Sequence, residues 1–226
     1  MDTRNDYRIL LALDAYDRLE KRVRSWVLPW PIEKGKAMNA LSGIHKDLLK
    51  LRFSFLPYRM ILESQELNDL VSEARLLYSL LFPRESSSIH VPAKGVHAVA
   101  EVKYALSILL GLPSRIRLGD DNVPEHAVDI LGAEVVDVDE LGEGLKETRA
   151  STGSFALTVV TNIGDIRKGQ VRAIAILPPV EFRGVVSEAM YASDVISSEL
   201  IGKRVGVDLV DRHVRAIVID IARNIR

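Results

Sequence analysis

Through residues 2–82, apolar residues recur at intervals of three and four, and prolines punctuate the series. That spacing lays one apolar stripe along each helix and charge on the opposite side. Ile9, Leu10, Leu13, Tyr16 and Leu19 form the first stripe, which Pro29 and Pro31 end on either side of Trp30. Met38, Leu41, Ile44, Leu48, Leu49 and Leu51 form the second, over 33–54. Leu62, Leu67, Leu70, Val71, Ala74, Leu77 and Leu81 form the third, over 58–82, after Pro57. Pro83 closes the series, and Arg84-Glu85-Ser86-Ser87-Ser88 reads as a linker. Amphipathic helices need neighbours to cover their stripes. The expectation is a helical domain over 1–85.

Beyond residue 88 the texture changes. Residues 89–91 read as a short strand, 94–110 as a helix ending at Gly111, and 115–118 as a second strand. Residues 124–131 read as a helix with proline in its first turn, and 133–138 as a strand, so 89–138 has the cadence of an α/β segment. From about 139 the chain is β-branched and punctuated by glycine. SFALTVVTN (154–162), QVRAIAIL (170–177) and AMYAS (189–193) are strand-like, and Gly164, Gly169 and Gly184 lie between them. Short strands with glycine turns suggest a barrel or sandwich. Val210, Val214, Ile217, Val218 and Ile221 return to helical spacing over 208–225. The predicted fold class is α+β: a helical domain, then a β-barrel domain over 89–226 that includes the α/β segment.

Charge and residue types then exclude function classes. Thirty Lys+Arg against thirty-one Asp+Glu leave a net charge of −1, so no global field draws the chain to nucleic acid or membrane. With no cysteine there is no thiolate zinc site, disulfide or cysteine nucleophile. The five histidines are scattered without metal-ligand pairing, and neither a catalytic group nor a cofactor is expected. The start, MDTRNDYRILLALDAYDRLEK, carries charge through its apolar residues and is not a signal peptide. No apolar run reaches the roughly 20 residues of a membrane span. A cytoplasmic location is expected. The acidic runs 119–125 and 137–143 read as solvated loops. A small-molecule site on Asp120, Asp121 or Asp137 would lack the glycine-rich turn that cradles a pyrophosphate. Positive charge collects on the second helix, at Lys34, Lys36, Lys46, Lys50, Arg52 and Arg59, and in the C-terminal third.

One stretch of that third carries a resemblance. VVTNIGDIRKGQVRAIAILPPVEFRGVVSEAM (159–190) contains, in order, a Thr-Asn turn, a Lys-Gly-led strand, a Pro-bearing loop and Arg183-Gly184-Val185-Val186-Ser187-Glu188-Ala189-Met190. Over 154–193 this resembles the tRNA-binding OB domain family. That family includes the bacterial tRNA-binding arm protein, the C-terminal extension of many methionyl-tRNA synthetases and the endothelial monocyte-activating polypeptide. Ala189 stands where the family has glycine, and motifs of the family's first half have no counterpart here. The resemblance implies an OB-like barrel, best supported over 154–205, and structure-dependent, non-catalytic binding of tRNA. It implies an RNA surface of Arg183, Ser187, Arg167, Lys168, Arg172 and Asn162, extended by Lys203 and Arg204, with Met190 packed inward. It also implies a homodimer, in which two modest basic patches could act on one RNA. The alternative is an accessory subunit that docks an aminoacyl-tRNA synthetase or another RNA enzyme.

Overall fold

Asp6 starts the first helix. In the computed structural model, which describes residues 1–83, 86 and 89–225, Asp6 caps α1 (Tyr7–Arg24) by accepting the Arg8 amide at 3.0 Å. The same carboxylate takes the Arg8 guanidinium at 2.9 and 2.7 Å. Arg8 Nη1 also donates to the carbonyls of Gly119, at 2.7 Å, and Arg115, at 3.3 Å. Both side chains of the pair are 1% exposed, so the first turn is tied from inside to residues 115–119.

Five more helices follow: α2 (Lys34–Arg52), α3 (Tyr58–Leu62), α4 (Gln65–Leu81), α5 (Ala93–Leu110) and α6 (Leu112–Ile116). α1 packs on α2 and α5, α2 on α4, and α3 on α6. Most of the predicted stripes meet: Ile9, Leu10, Leu13, Leu19, Leu41, Ile44, Leu48, Leu67, Leu70 and Leu77 are buried, whereas Leu49 of the second stripe is exposed. The prolines beside Trp30 make a loop that the core uses. Trp30 Nε1 donates to Leu81 O at 2.8 Å, and Trp30 packs with Leu28 and Ala98.

The expected single helix over 58–82 is two helices. Ser64 adopts an extended backbone, accepts the Leu67 amide at 3.3 Å and donates to Ile61 O at 2.7 Å, ending α3 and capping α4. Larger differences lie in 89–131. Residues 89–91 form no strand; Ile89 and Val91 pack against the Trp30 cluster. The expected strand at 115–118 overlaps helix α6, where Arg115 is wholly buried and its guanidinium turns back to Ile108 O. The expected helix over 124–131 is one 3₁₀ turn, Pro124–Ala127, after which a strand begins at Ile130. Two compact units result, Met1–Ala127 with Val218–Arg226 and Val128–Ile217. The sequence puts its break at 84–88 instead, of which Arg84, Glu85, Ser87 and Ser88 lie outside the described residues. The unit continues past that point because α5 supplies the apolar face that covers α1.

The second unit is a five-stranded antiparallel sheet in the order β3-β2-β1-β4-β5. Its strands are β1 (Ile130–Gly142), β2 (Leu145–Ser151), β3 (Ala156–Thr161), β4 (Val171–Phe182) and β5 (Val185–Val195). β1 is long enough to serve two partners: Ile130–Glu134 pair with β4, and Glu134–Gly142 with β2, across a bulge between Val135 and Asp137. The sheet curls there, and its edge strands β3 and β5 approach each other. Side chains close the gap. The Val160 amide donates to Ser187 Oγ at 3.0 Å and the Thr158 amide to Glu188 Oε2 at 3.1 Å. Thr148 Oγ1 donates to Val159 O at 2.8 Å and lies 2.9 Å from the Tyr191 hydroxyl, whose proton affinity burial raises. The result is a five-stranded antiparallel sheet curled into a barrel, with β3 and β5 brought together by these side chains.

Ala133, Val135, Ala150, Val159, Ile166, Ile174, Ala189 and Tyr191 fill its interior. Ala189, the departure from the family's glycine, is a core residue in regular strand; among the described residues only Phe55, Glu143 and Arg183 hold positive φ without being glycine. Strand alternation puts Met190 on the other face from Ala189 and Tyr191, opposite the inward packing expected for it. Pro178 and Pro179, which cannot donate to a ladder, are looped out where the β4–β5 register shifts between Ile176 and Val180. After the barrel comes α7 (Arg212–Arg223), whose Val214, Val218 and Ala222 are buried at helical spacing.

Replacing Asp6 by alanine strands the buried Arg8 charge and removes a cap. Urea unfolding followed by tryptophan fluorescence should show a loss of about 3–5 kcal/mol in the helical unit, which holds both Trp26 and Trp30. A loss below about 1 kcal/mol, the range of a surface pair, would contradict this role.

Candidate nucleic-acid interface

Two hairpin turns define one end of the barrel. Gly142 pairs with Leu145 across Glu143-Gly144, and Phe182 pairs with Val185 across Arg183-Gly184. Glu143 and Gly144 have φ of +53° and +76°; Arg183 and Gly184 have +53° and +84°. Positive φ at both central residues is the signature of the type I′ turn, which suits the twist of paired strands. Its first position favours Asn, Asp or Gly, and here it holds Glu and Arg. The two residues form an ion pair between the turns, with Arg183 Nη2 on Glu143 Oε2. Both are solvated, Arg183 39% and Glu143 79% exposed.

The connection from β3 to β4 reaches the same hairpin. Lys146, beside the β1–β2 turn, donates to Gly164 O at 2.8 Å and lies 3.6 Å from Glu140. Asn162, Arg167 and Lys168, all in this connection, are exposed. In OB barrels the β1–β2 and β4–β5 loops and the face of β2 and β3 bind oligonucleotides. The β1–β2 hairpin is thus held to both segments that carry predicted cations, at Glu143 and at Lys146.

Other predicted residues have different work. Ser187 is buried; it accepts the Val160 amide and donates to Ala189 O at 2.9 Å, so its hydroxyl belongs to the barrel seam and not to a ligand surface. Arg172 is buried too. Its Nη1 donates to Ser193 O at 3.1 Å, its Nε to Gln170 Oε1 at 3.4 Å, and Asp165 lies 3.7 Å from Nη2. It ties β4 to β5 and to the β3–β4 connection. Arg204 is half-buried, donating to Val128 O at 3.0 Å and pairing with Asp129. It fixes residues 198–205 along the start of β1, where Gly132 is obligatory: a Cβ there would lie 2.2 Å from Leu200 O. Lys203 is exposed on this segment. The neighbouring Gly202 approaches Thr152, in the β2–β3 turn, so Lys203 and Arg204 are not gathered with Arg183.

The outer face of β1 and β2 is acidic. Asp137 lies opposite Arg149 and Asp139 opposite Glu147, giving three carboxylates to one guanidinium. The run 137–143, expected as a solvated loop, is the second half of β1, with Asp137 and Asp139 on the sheet surface, and Glu143 in the turn after it. Asp120 is structural, accepting the Tyr58 amide at 2.9 Å. Among the described residues no cluster of His, Cys, Asp and Glu is arranged to hold a metal ion. No described helix is long and apolar enough to cross a membrane. Glu143 and the exposed Phe182 escaped the sequence reading; the alternation Gly142-Glu143-Gly144 was the available sign of a hairpin tip.

Residues 1–119, just over half the chain, match a family model described as an alpha helical domain. No curated protein matches the chain.

Alanine at position 187 should cost about 1–3 kcal/mol by leaving the Val160 amide without its acceptor. Hydrogen exchange at that amide should accelerate; an exchange rate left unchanged in a folded variant would contradict this role.

Proposed function

We propose that this chain, which belongs to the alpha helical domain family, is a non-catalytic RNA-binding protein whose barrel takes structured RNA, tRNA above all, at its hairpin-loop end. The observation that carries the reading is the barrel topology with Arg183 at the tip of the β4–β5 hairpin, beside the β1–β2 turn. Arg167, Lys168 and Asn162 on the β3–β4 connection complete the surface. The resemblance over 154–193 supports the choice of tRNA. Phosphate contacts are confined to loops, because Asp137, Asp139 and Glu147 repel a polyanion from the outer face of β1 and β2. Binding of this kind is electrostatic and tolerant of sequence.

A second reading, an accessory subunit docking a synthetase or other RNA enzyme, is favoured by a different surface. Phe53, Phe55 and Met60 are more than half exposed on the helical unit, and Arg52 and Arg59 stack over Phe53 and Tyr58. Aromatic, Met and Arg side chains are the types enriched at protein interfaces.

The double variant Arg183→Ala, Lys168→Ala should weaken tRNA binding. It should also flatten the plot of log affinity against log salt by roughly 1.5, the release of about two counterions. Unchanged affinity and slope, measured by gel shift at several salt concentrations, would reject the loop-end site. A stable protein partner recovered without RNA would favour the second reading.

A further inference from the structure

We propose that Glu143 is a specificity-determining residue of the loop end: its carboxylate occupies Arg183 in the free protein and must be displaced by an incoming phosphate. The inference rests on the RNA-binding reading above and adds a competitor within the chain. Three observations carry it. Turn chemistry does not account for the residue types, since Asn or Gly would hold both left-handed positions with less strain than Glu143 and Arg183 do at φ +53°. The two strained positions carry opposite charges and meet across the gap between separate hairpins, Arg183 Nη2 on Glu143 Oε2. The pair is solvated, with Glu143 79% exposed, so its exchange for another anion is not blocked by burial.

The chemistry then selects the ligand. A carboxylate on a guanidinium is replaced by a phosphate oxygen, which makes the same charge-assisted hydrogen bonds. The released carboxylate joins exposed Asp139 on the same hairpin, where Glu140 is already answered by Lys146 at 3.6 Å, and this local negative charge opposes any anion held by Arg183 alone. A ligand must recover that loss at further cations, of which Arg167 and Lys168 are exposed on the β3–β4 connection. A polyphosphate backbone meets the demand; a single phosphate or carboxylate does not.

The test is a double-mutant cycle on labelled tRNA, read by fluorescence anisotropy at one salt concentration. E143Q should bind about two- to fivefold more tightly, the ratio corresponding to a surface ion pair of up to about 1 kcal/mol. R183A should bind more weakly, and adding E143Q to R183A should tighten binding by no more than E140Q does in the intact protein, because the competitor has nothing left to occupy and only its background charge is removed. E140Q, which removes a neighbouring charge without touching the pair, should tighten binding less than E143Q. If R183A weakens binding while E143Q does not tighten it, or tightens it equally in the R183A background, the competition is overturned and the binding surface stands. If R183A leaves affinity unchanged, the binding surface and the competition fall together.

Discussion

The barrel depends on how its edge strand β3 satisfies its backbone. An unpaired row of N–H groups on an edge strand is a liability. Here β5 answers it with side chains: Ser187 Oγ takes the Val160 amide and Glu188 Oε2 takes the Thr158 amide. The bulge at Val135–Asp137 turns β1 far enough for this to happen, and a second irregularity at Pro178–Pro179 shifts the β4–β5 register between Ile176 and Val180. A small interior, largely Ala and Val with Tyr191, is sufficient once the seam is closed. Closure also withdraws the Ser187 hydroxyl from any ligand surface.

Electrostatics sharpens the division. A chain with net charge −1 has no general attraction for a polyanion, so any recognition of one must be local. The sheet surface of β1 and β2 is acidic, and the exposed cations Arg167, Lys168 and Arg183 sit in the connections. Even there Arg183 is shared with Glu143. Short-range, loop-borne contacts of this sort suit an RNA bound by its shape and phosphate positions.

The helices were legible in the sequence because their stripes are long and prolines mark their ends; Leu41, Ile44 and Leu48 are buried as the spacing requires. What failed in 89–131 failed for want of length. Residues 115–118 are too few to show a period, and burial of Arg115 follows from a contact with Ile108 that no local pattern encodes. β2 was invisible because LKETRAS turns the small Thr148 and Ala150 inward on the same side as Lys146, with no apolar alternation to see. The exposure of the residues proposed for an RNA surface was half legible. Residue type singled out Arg183, Arg167 and Lys168, but it could not separate a solvated cation from Arg172, which is consumed in packing, or from the hydroxyl of Ser187 in the seam. Glu143 was missed because its importance lies in a partner forty residues away.

The central claim is that RNA meets the loop end of the barrel and avoids its acidic sheet face. Amide NMR spectra of the whole chain, recorded as tRNA is added, test it most directly. Shifts and line broadening should begin at residues 143–144, 162–169 and 183–184, while Asp137, Asp139, Glu147 and Arg149 stay unperturbed. Perturbations centred on those sheet residues, or none in the barrel at all, would contradict it.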